Sequence, residues 1–503
     1  MGVQRSFLRK VIYLVAMVPL LGVLFWLGQP GTPPSESQPG AAGGVLTQMR
    51  QREGLTQTHI GELDPASETI KLATLGLRGV AAMILWEKAN DHKMRKNWFK
   101  LSATLEQLAK VQPHFISVWR FQCWNLSYNC SVEFDDYRDR YRWVMKGIEH
   151  LKKGITYNRH EPILVWDVGW FISQKIGKSD EHKQFRRLFR EDDDFHGARP
   201  LPLRDSWLVG KEWFREAEAM VDRGDKVKSG PLLFRSHAPL CQMYYSDTLE
   251  KEGTFGEVAH RAWKQAALDW YHYGQFDMTT SDGTIYRLND QEMYEESLRR
   301  LTEQIDQMAP GAREKIFERK LAGLSREMRQ ALETHPEKRS PKQVDLAARA
   351  EEEIKVTYDE VARSVTGPQR RKALELADKA KQCEDMIRTI KSNRMTVNFN
   401  YWRLKAQVEQ TADAIAARQA AYEAQTAYKR GEILTARELC ERAAGLWRKV
   451  IDEFPAIKEE RSFVDDIMDL VKQYRTVLAQ FNAKLPPDFI LGDIVEAAKK
   501  HEI

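Results

Sequence analysis

Apolar side chains return every three or four residues along most of this chain, the spacing that draws one stripe down an α-helix. From Trp98 to Val111 the stripe is Leu101, Leu105, Leu108 and Ala109, and Pro113 marks its end. The same spacing predicts helices over residues 141–157, 207–220, 239–251, 255–273, 434–454, 462–483 and 489–500. Between Leu376 and Ile415 the apolar steps alternate four and three, broken at Arg394 and Thr411, with Asn398 and Asn400 marking a local irregularity. That pattern predicts one heptad-seamed helix over 369–430, on the order of 90 Å long, whose partner is residues 290–330, residues 342–363 or a second copy. Intramolecular pairing is the favoured arrangement. The turn at Ser281–Thr284 is the one place where short strands are expected.

The amino terminus follows a different pattern. Arg5, Arg9 and Lys10 precede an uncharged apolar run over residues 11–27, and Trp26 stands where an interfacial anchor belongs. Bulky residues replace the small ones that a signal-peptide cleavage site needs, so the expectation is a retained transmembrane helix. The basic flank then predicts a single-pass protein with a cytoplasmic amino terminus and an extracytoplasmic body, periplasmic or on the cell surface. The expected domains are a stub and anchor (1–28), a Gly/Pro/Ser-rich flexible linker (29–68), a helical-repeat region (69–190), a less regular helical region (191–290) and long charged helices (291–503).

Composition narrows the function classes. Seventy-seven basic residues against 72 acidic ones are interleaved rather than clustered, which excludes an electrostatic nucleic-acid binder. Five scattered cysteines make no zinc or redox spacing and read as buried thiols. Neither a P-loop, GxGxxG, HExxH nor GxSxG occurs, so no cofactor, metal or catalytic residue is assigned and no enzyme activity is expected.

Two aromatic segments look alike: Pro113 precedes Trp119 and Trp124, and 49 residues further on Pro162 precedes Trp166 and Trp170. The Pro113-to-Trp119 step, with a looser echo in Tyr422, Gly431, Ala443, Trp447 and Pro455, resembles tetratricopeptide-type helical repeats. The resemblance implies a protein-binding α-solenoid. With the periodicity it gives an all-α fold: an N-terminal transmembrane helix, a TPR-like solenoid and a long antiparallel hairpin of coiled-coil character.

Trp119, Trp124, Trp166 and Trp170 read first as packing between helices, and as peptide-binding anchors where a concave face exposes them. Asp192, Asp193, Asp194 and His196 form the densest set of metal-ligand types, but consecutive aspartates splay apart, and a charged loop after a helix is the simpler reading. His237 and Cys241 share a helix face without an orienting third group, Asp247 being the nearest candidate. Asn125 and Asn129 head glycosylation-type triplets inside an aromatic helix, where a sugar would clash. The functional expectation is a membrane-tethered scaffold for protein partners, with membrane contact through residues 11–27 and homo-oligomerisation open. The alternatives are an envelope hydrolase with its site in 191–290 and an oligomeric coiled-coil protein.

Overall fold

The computed structural model describes residues 15–20, 22–23, 25–29, 43–52, 78–280 and 282–501, and the chain separates into two compact units, Met1–Ser229 and Gly230–Ile503. Among the described residues both units are helical, apart from one two-stranded hairpin in the second.

The first unit is built from α1 (Arg78–Met94), α2 (Trp98–Val111), α3 (Ile116–Trp124), α4 (Tyr137–Tyr157), α5 (Pro162–Trp170), α6 (His182–Glu191) and α7 (Ser206–Asp222). Local chemistry sets the ends: the Asn97 side chain accepts the Lys100 N–H at the start of α2, and Pro162 occupies the first turn of α5, where its missing donor costs nothing. Helix α1 packs on α2, α3 on α4, and α5 on α7. Leu101, Leu105 and Leu108 meet Ile148, Leu151, Leu164, Phe185 and Phe189 in one continuous core. Glycines set the closest approaches. A Cβ on Gly169 of α5 would lie 3.0 Å from the Gly210 carbonyl oxygen of α7, so the two backbones touch where neither helix has a side chain.

The second unit opens with α8 (Pro231–Lys251) and α9 (Glu257–Gly274), then the hairpin β1 (Met278–Thr279) and β2 (Ile285–Tyr286). Met278 pairs with Tyr286 and Thr279 with Ile285, across the turn at Gly283. Next come α10 (Gln291–Met308), α11 (Ala312–Gly323), α12 (Arg326–Glu333), α13 (Pro341–Ile354) and α14 (Tyr358–Ser364). The unit ends with α15 (Arg370–Thr396), α16 (Phe399–Glu409), α17 (Ala412–Lys429), α18 (Ile433–Glu453), α19 (Arg461–Ala479) and α20 (Gly492–His501). Helix α10 lies along α15 and α17 along α18, while α8, α9 and α16 enclose Trp263, Trp270 and Phe399. Pro239, read from sequence as a helix start, sits inside α8; buried Phe234 and Ala238 hold the helix through it.

Several expectations need correction. The long seam over 369–430 is three helices, not a rod. Asn398 adopts a left-handed conformation (φ 50°), and the Thr411 hydroxyl accepts the Ala414 N–H as a fresh N-cap. The broken stripe folds back on its own unit, which removes the basis for an oligomeric coiled coil. The left-handed residue also gives a test. Asn398→Ala is expected to lower stability by about 1 kcal/mol, and Asn398→Gly to leave it unchanged or slightly raised, as read by urea unfolding midpoints.

The anchor is corrected as well. Among the described residues no helix is long and apolar enough to cross a membrane. The apolar run has 17 residues and carries Pro19 and Gly22, short of the ~20 that a bilayer-spanning helix needs. Residues 11–14, Leu21 and Leu24 of that run, and most of the expected linker, lie outside the described residues. The single-pass topology, the extracytoplasmic placement of the body and the membrane as a partner fall with the anchor. Nor does the first unit stack equal pairs of regular helices, as a tetratricopeptide solenoid does. Helices α1 to α7 range from nine residues (α3, α5) to 21 (α4), and α3 and α5 both change to π-helix before they end.

Candidate functional site

The two π-helical turns build the most distinctive surface of the first unit. Helix α3 runs into Asn125–Cys130 and α5 into Phe171–Ile176; the N–H of Ser131 bonds the Leu126 carbonyl, and that of Gly177 the Ile172 carbonyl. Each turn follows a tryptophan, Trp124 or Trp170. A π turn is wider than an α turn and changes which way the following side chains face, and such turns recur at functional sites. Here the extra width lets Tyr128 stand between the two indoles, its ring 6.1 Å from Trp124 and 6.3 Å from Trp170.

Tyr128 is one step in a longer row. Phe115 lies 5.6 Å from Trp86, Trp86 6.5 Å from Phe121, and Phe121 6.0 Å from Trp124, so six rings follow one another across α1, α3 and α5. The path along the ring centres is about 30 Å, the reach of at most ~9 extended residues. At one end Trp86 and Phe115 line an open cleft of about 490 Å³ with Met83, Gln112 and His114. The rings are only partly covered: Trp124 is 41% exposed and Phe115 39%.

Cations border the row. The Lys93 ammonium sits 5.2 Å from the centre of Phe121 and that of Lys175 4.5 Å from Tyr128. Arg120, half exposed, binds buried Asp167 and so ties α3 to α5; its second nitrogen donates to Asp167 Oδ1 at 3.2 Å. Burial pushes the Asp167 pKa up, while the Arg120 guanidinium works against that rise. Asp167 is buried, as is Lys175, so the exposed cations beside the rings are Lys93 and the half-exposed Arg120.

No protein-family model, curated protein or solved structure matches this chain. The tetratricopeptide resemblance is therefore withdrawn. Its Pro113–Trp119 step is a local contact, the Trp119 indole N–H donating to the Pro113 carbonyl at 2.7 Å. The reading as a membrane-tethered repeat scaffold is withdrawn with it, and neither alternative, envelope hydrolase or coiled-coil oligomer, gains support.

The four tryptophans singled out from sequence separate. Trp119 is buried against Tyr157 and His150, and burial holds the His150 pKa at about 4. Trp166 packs on Phe214, away from the row. Trp124 and Trp170 stand in it. Phe115, Trp86, Phe121 and Tyr128 escaped sequence reasoning, because three elements and a π turn bring them together. Asn125 is fully buried and the Asn129 side-chain amide donates to its Oδ1, which leaves Asn125 no room for a sugar.

The acidic cluster after α6 serves local structure. Asp192 Oδ1 accepts the Phe195 N–H and Oδ2 the Tyr141 hydroxyl at 2.8 Å, Asp193 pairs with Arg204, and buried His196 bonds the Phe189 carbonyl. Asp194 is the second residue of the single helical turn Asp193–His196. Arg186 and Arg190 of α6 pair with Asp205. Asp192 also borders a charged cleft of about 450 Å³ with Arg142, Trp143, Lys146 and Glu149. In the second unit His237 bonds the Leu233 carbonyl within its own helix, and Asp247 pairs with Lys251. Among the described residues no group of three or more His, Cys, Asp or Glu is placed to hold a metal ion.

A second constellation, in the second unit, was not anticipated. Glu250 of α8 accepts the Trp263 indole N–H of α9 at 3.0 Å. Glu409 of α16, with no exposed surface, is gripped by Arg418 of α17. Lys405 of α16 donates to Asp466 of α19 at 2.6 Å, and Arg418 lies over the Trp447 ring of α18. Burial, then the charge of Glu409, pushes the Glu250 pKa up to about 8. Burial also works to raise Asp247, but Lys405 and Lys251 outweigh it and hold that acid below its ordinary value.

Proposed function

We propose that this chain works by binding rather than by turnover, and that the aromatic row of its first unit takes an extended peptide carrying apolar and acidic side chains. The observation that carries this reading is the continuity of six partly exposed rings from the Trp86–Phe115 cleft to Trp170. Buried core does not need such a row at the surface, and rings with two torsions lose little freedom when a ligand covers them. The exposed Lys93 ammonium and the half-exposed Arg120 guanidinium beside the rings favour acidic groups between the apolar anchors. Binding rather than catalysis is supported by the polar candidates of residues 191–250, which serve a helix cap, an ion pair to a loop arginine and contacts within helix α8.

An array of peptides of about twelve residues tests the reading, pairing sequences that alternate Asp or Glu with Leu, Phe and Trp against the same sequences with Lys for each acid. The acidic set is expected to retain the full-length chain. Trp124→Ala is expected to weaken retention about tenfold or more, as loss of an aromatic anchor does. Its helix content should not change, because Trp124 is largely outside the core. Equal retention on both sets, or by the wild-type chain and Trp124→Ala, would overturn the proposal.

A further inference from the structure

The charged groups between α8, α9, α16, α17 and α19 are arranged as a closed set. Asp247, Glu250 and Lys251 come from α8, Lys405 and Glu409 from α16, Arg418 from α17 and Asp466 from α19. With Glu250 neutral, the three carboxylates Asp247, Glu409 and Asp466 face the three cations Lys251, Lys405 and Arg418. Tyr401 bridges the far side, its hydroxyl 3.3 Å from Lys405 Nζ and 3.4 Å from Asp466. From α9, Trp263 gives its N–H to Glu250, and His260 bonds the Gln410 carbonyl next to Glu409. Trp447 of α18 closes the set over Arg418. Arg418 is the cation that acts on Glu250. Glu409 already engages Arg418 through both its oxygens.

We infer that Glu250 carries a proton in the folded protein and that this proton is a latch holding α8 and α9 on the α16–α17 elbow. Loss of the proton to solvent places a second anion beside Glu409 in a buried space, and the two carboxylates then push α8 and α16 apart. Burial and Glu409 place the release near pH 8, well above the ordinary value of 4.5. The sign follows. Folding takes up a proton between about 4.5 and about 8, so the latch holds fully at the acid end of that window and is lost as pH rises through the upper end. The Trp263 bond survives either state, since its donor serves acid and carboxylate alike. What changes is the repulsion between α8 and α16.

Amide hydrogen exchange on the full-length chain tests this, compared at about pH 6 and about pH 9.5 after correction for intrinsic exchange rates. In the wild type, amides of residues 244–251 and 405–418 are expected to lose protection by about tenfold or more at the higher pH. Glu250→Gln keeps a neutral acceptor for Trp263 and should show no such loss. If Glu250→Gln does not fold, Glu409→Gln serves. It removes the neighbouring anion, so the Glu250 pKa falls and its ionisation meets no second charge on α16; the loss of protection between the two pH values should then be absent or much smaller. Infrared difference spectra between wild type and either variant report the proton directly, as a buried carboxylic-acid carbonyl band present at about pH 6 and gone at about pH 9.5. Unchanged wild-type protection across the range, the same loss in Glu250→Gln, or absence of the acid band would each overturn the latch.

Discussion

Replacing Arg418 with methionine is expected to cost about 3–5 kcal/mol of stability, because it strands the fully buried charge of Glu409. Arg418 is the partner that meets both carboxylate oxygens, with Nε 3.1 and 3.2 Å from them. Burial works to lower the Arg418 pKa, and the Glu409 charge more than reverses it, so the guanidinium stays charged across the accessible pH range. Methionine keeps much of the apolar stem that covers Trp447, so the loss measures the stranded charge rather than a cavity. The double variant Glu409→Met with Arg418→Met should recover most of that loss, since removing both partners of a buried pair leaves neither unpaired. Urea unfolding of the two single variants and the double gives the coupling. A coupling near zero would show that the pair is screened by water and not a buried tie.

The second large effect is expected in the first unit. Gly147 of α4 lies where α4 crosses the π turn after α3. A Cβ there would meet the Cys123 carbonyl at 2.9 Å and the Ser127 hydroxyl at 2.5 Å. The hydroxyl can rotate away, but the carbonyl is backbone and can retreat only if α3 and its π turn shift. Gly147→Val is therefore expected to destabilise the unit by about 1–3 kcal/mol or prevent its folding. Because the same shift displaces Trp124 and Tyr128, the variant should also change tryptophan fluorescence. Gly445, whose added Cβ meets nothing within 4 Å, is the control: Gly445→Ala should be neutral or slightly stabilising. Equal stability of Gly147→Val and wild type would mean that α4 does not cross α3 this closely.

How much of this was legible in the sequence depended on how local the cause was. Helix α2 was readable end to end, since the leucine stripe lies within it and Pro113 just beyond it. Helices α7, α9 and α18 were placed within two residues at each end for the same reason. Asn398 and Asn400 showed as a local irregularity, but not as a helix end, because a heptad stripe continues through them and the left-handed residue is chosen by packing of Phe399 and Tyr401 on distant helices. The apolar amino-terminal run had an anchor's composition without the length of a spanning helix. Of the aromatic row, the tryptophans were visible as a spaced pair. The facing of Tyr128 was not, since it depends on a π turn that apolar spacing does not encode. The ionic set was least legible. Glu250, Glu409, Arg418 and Asp466 each look like one more charge on a solvated helix, and only the tertiary fold removes them from water.

The account rests most heavily on the aromatic row as a binding surface. Isothermal titration calorimetry with the peptide best retained on the acidic array, using wild type, Trp124→Ala and the exposed second-unit control Tyr271→Ala, tests that directly. Binding by wild type and Tyr271→Ala with a negative heat-capacity change, and about tenfold or more weaker binding by Trp124→Ala, is the predicted result. The same affinity in all three proteins would contradict it.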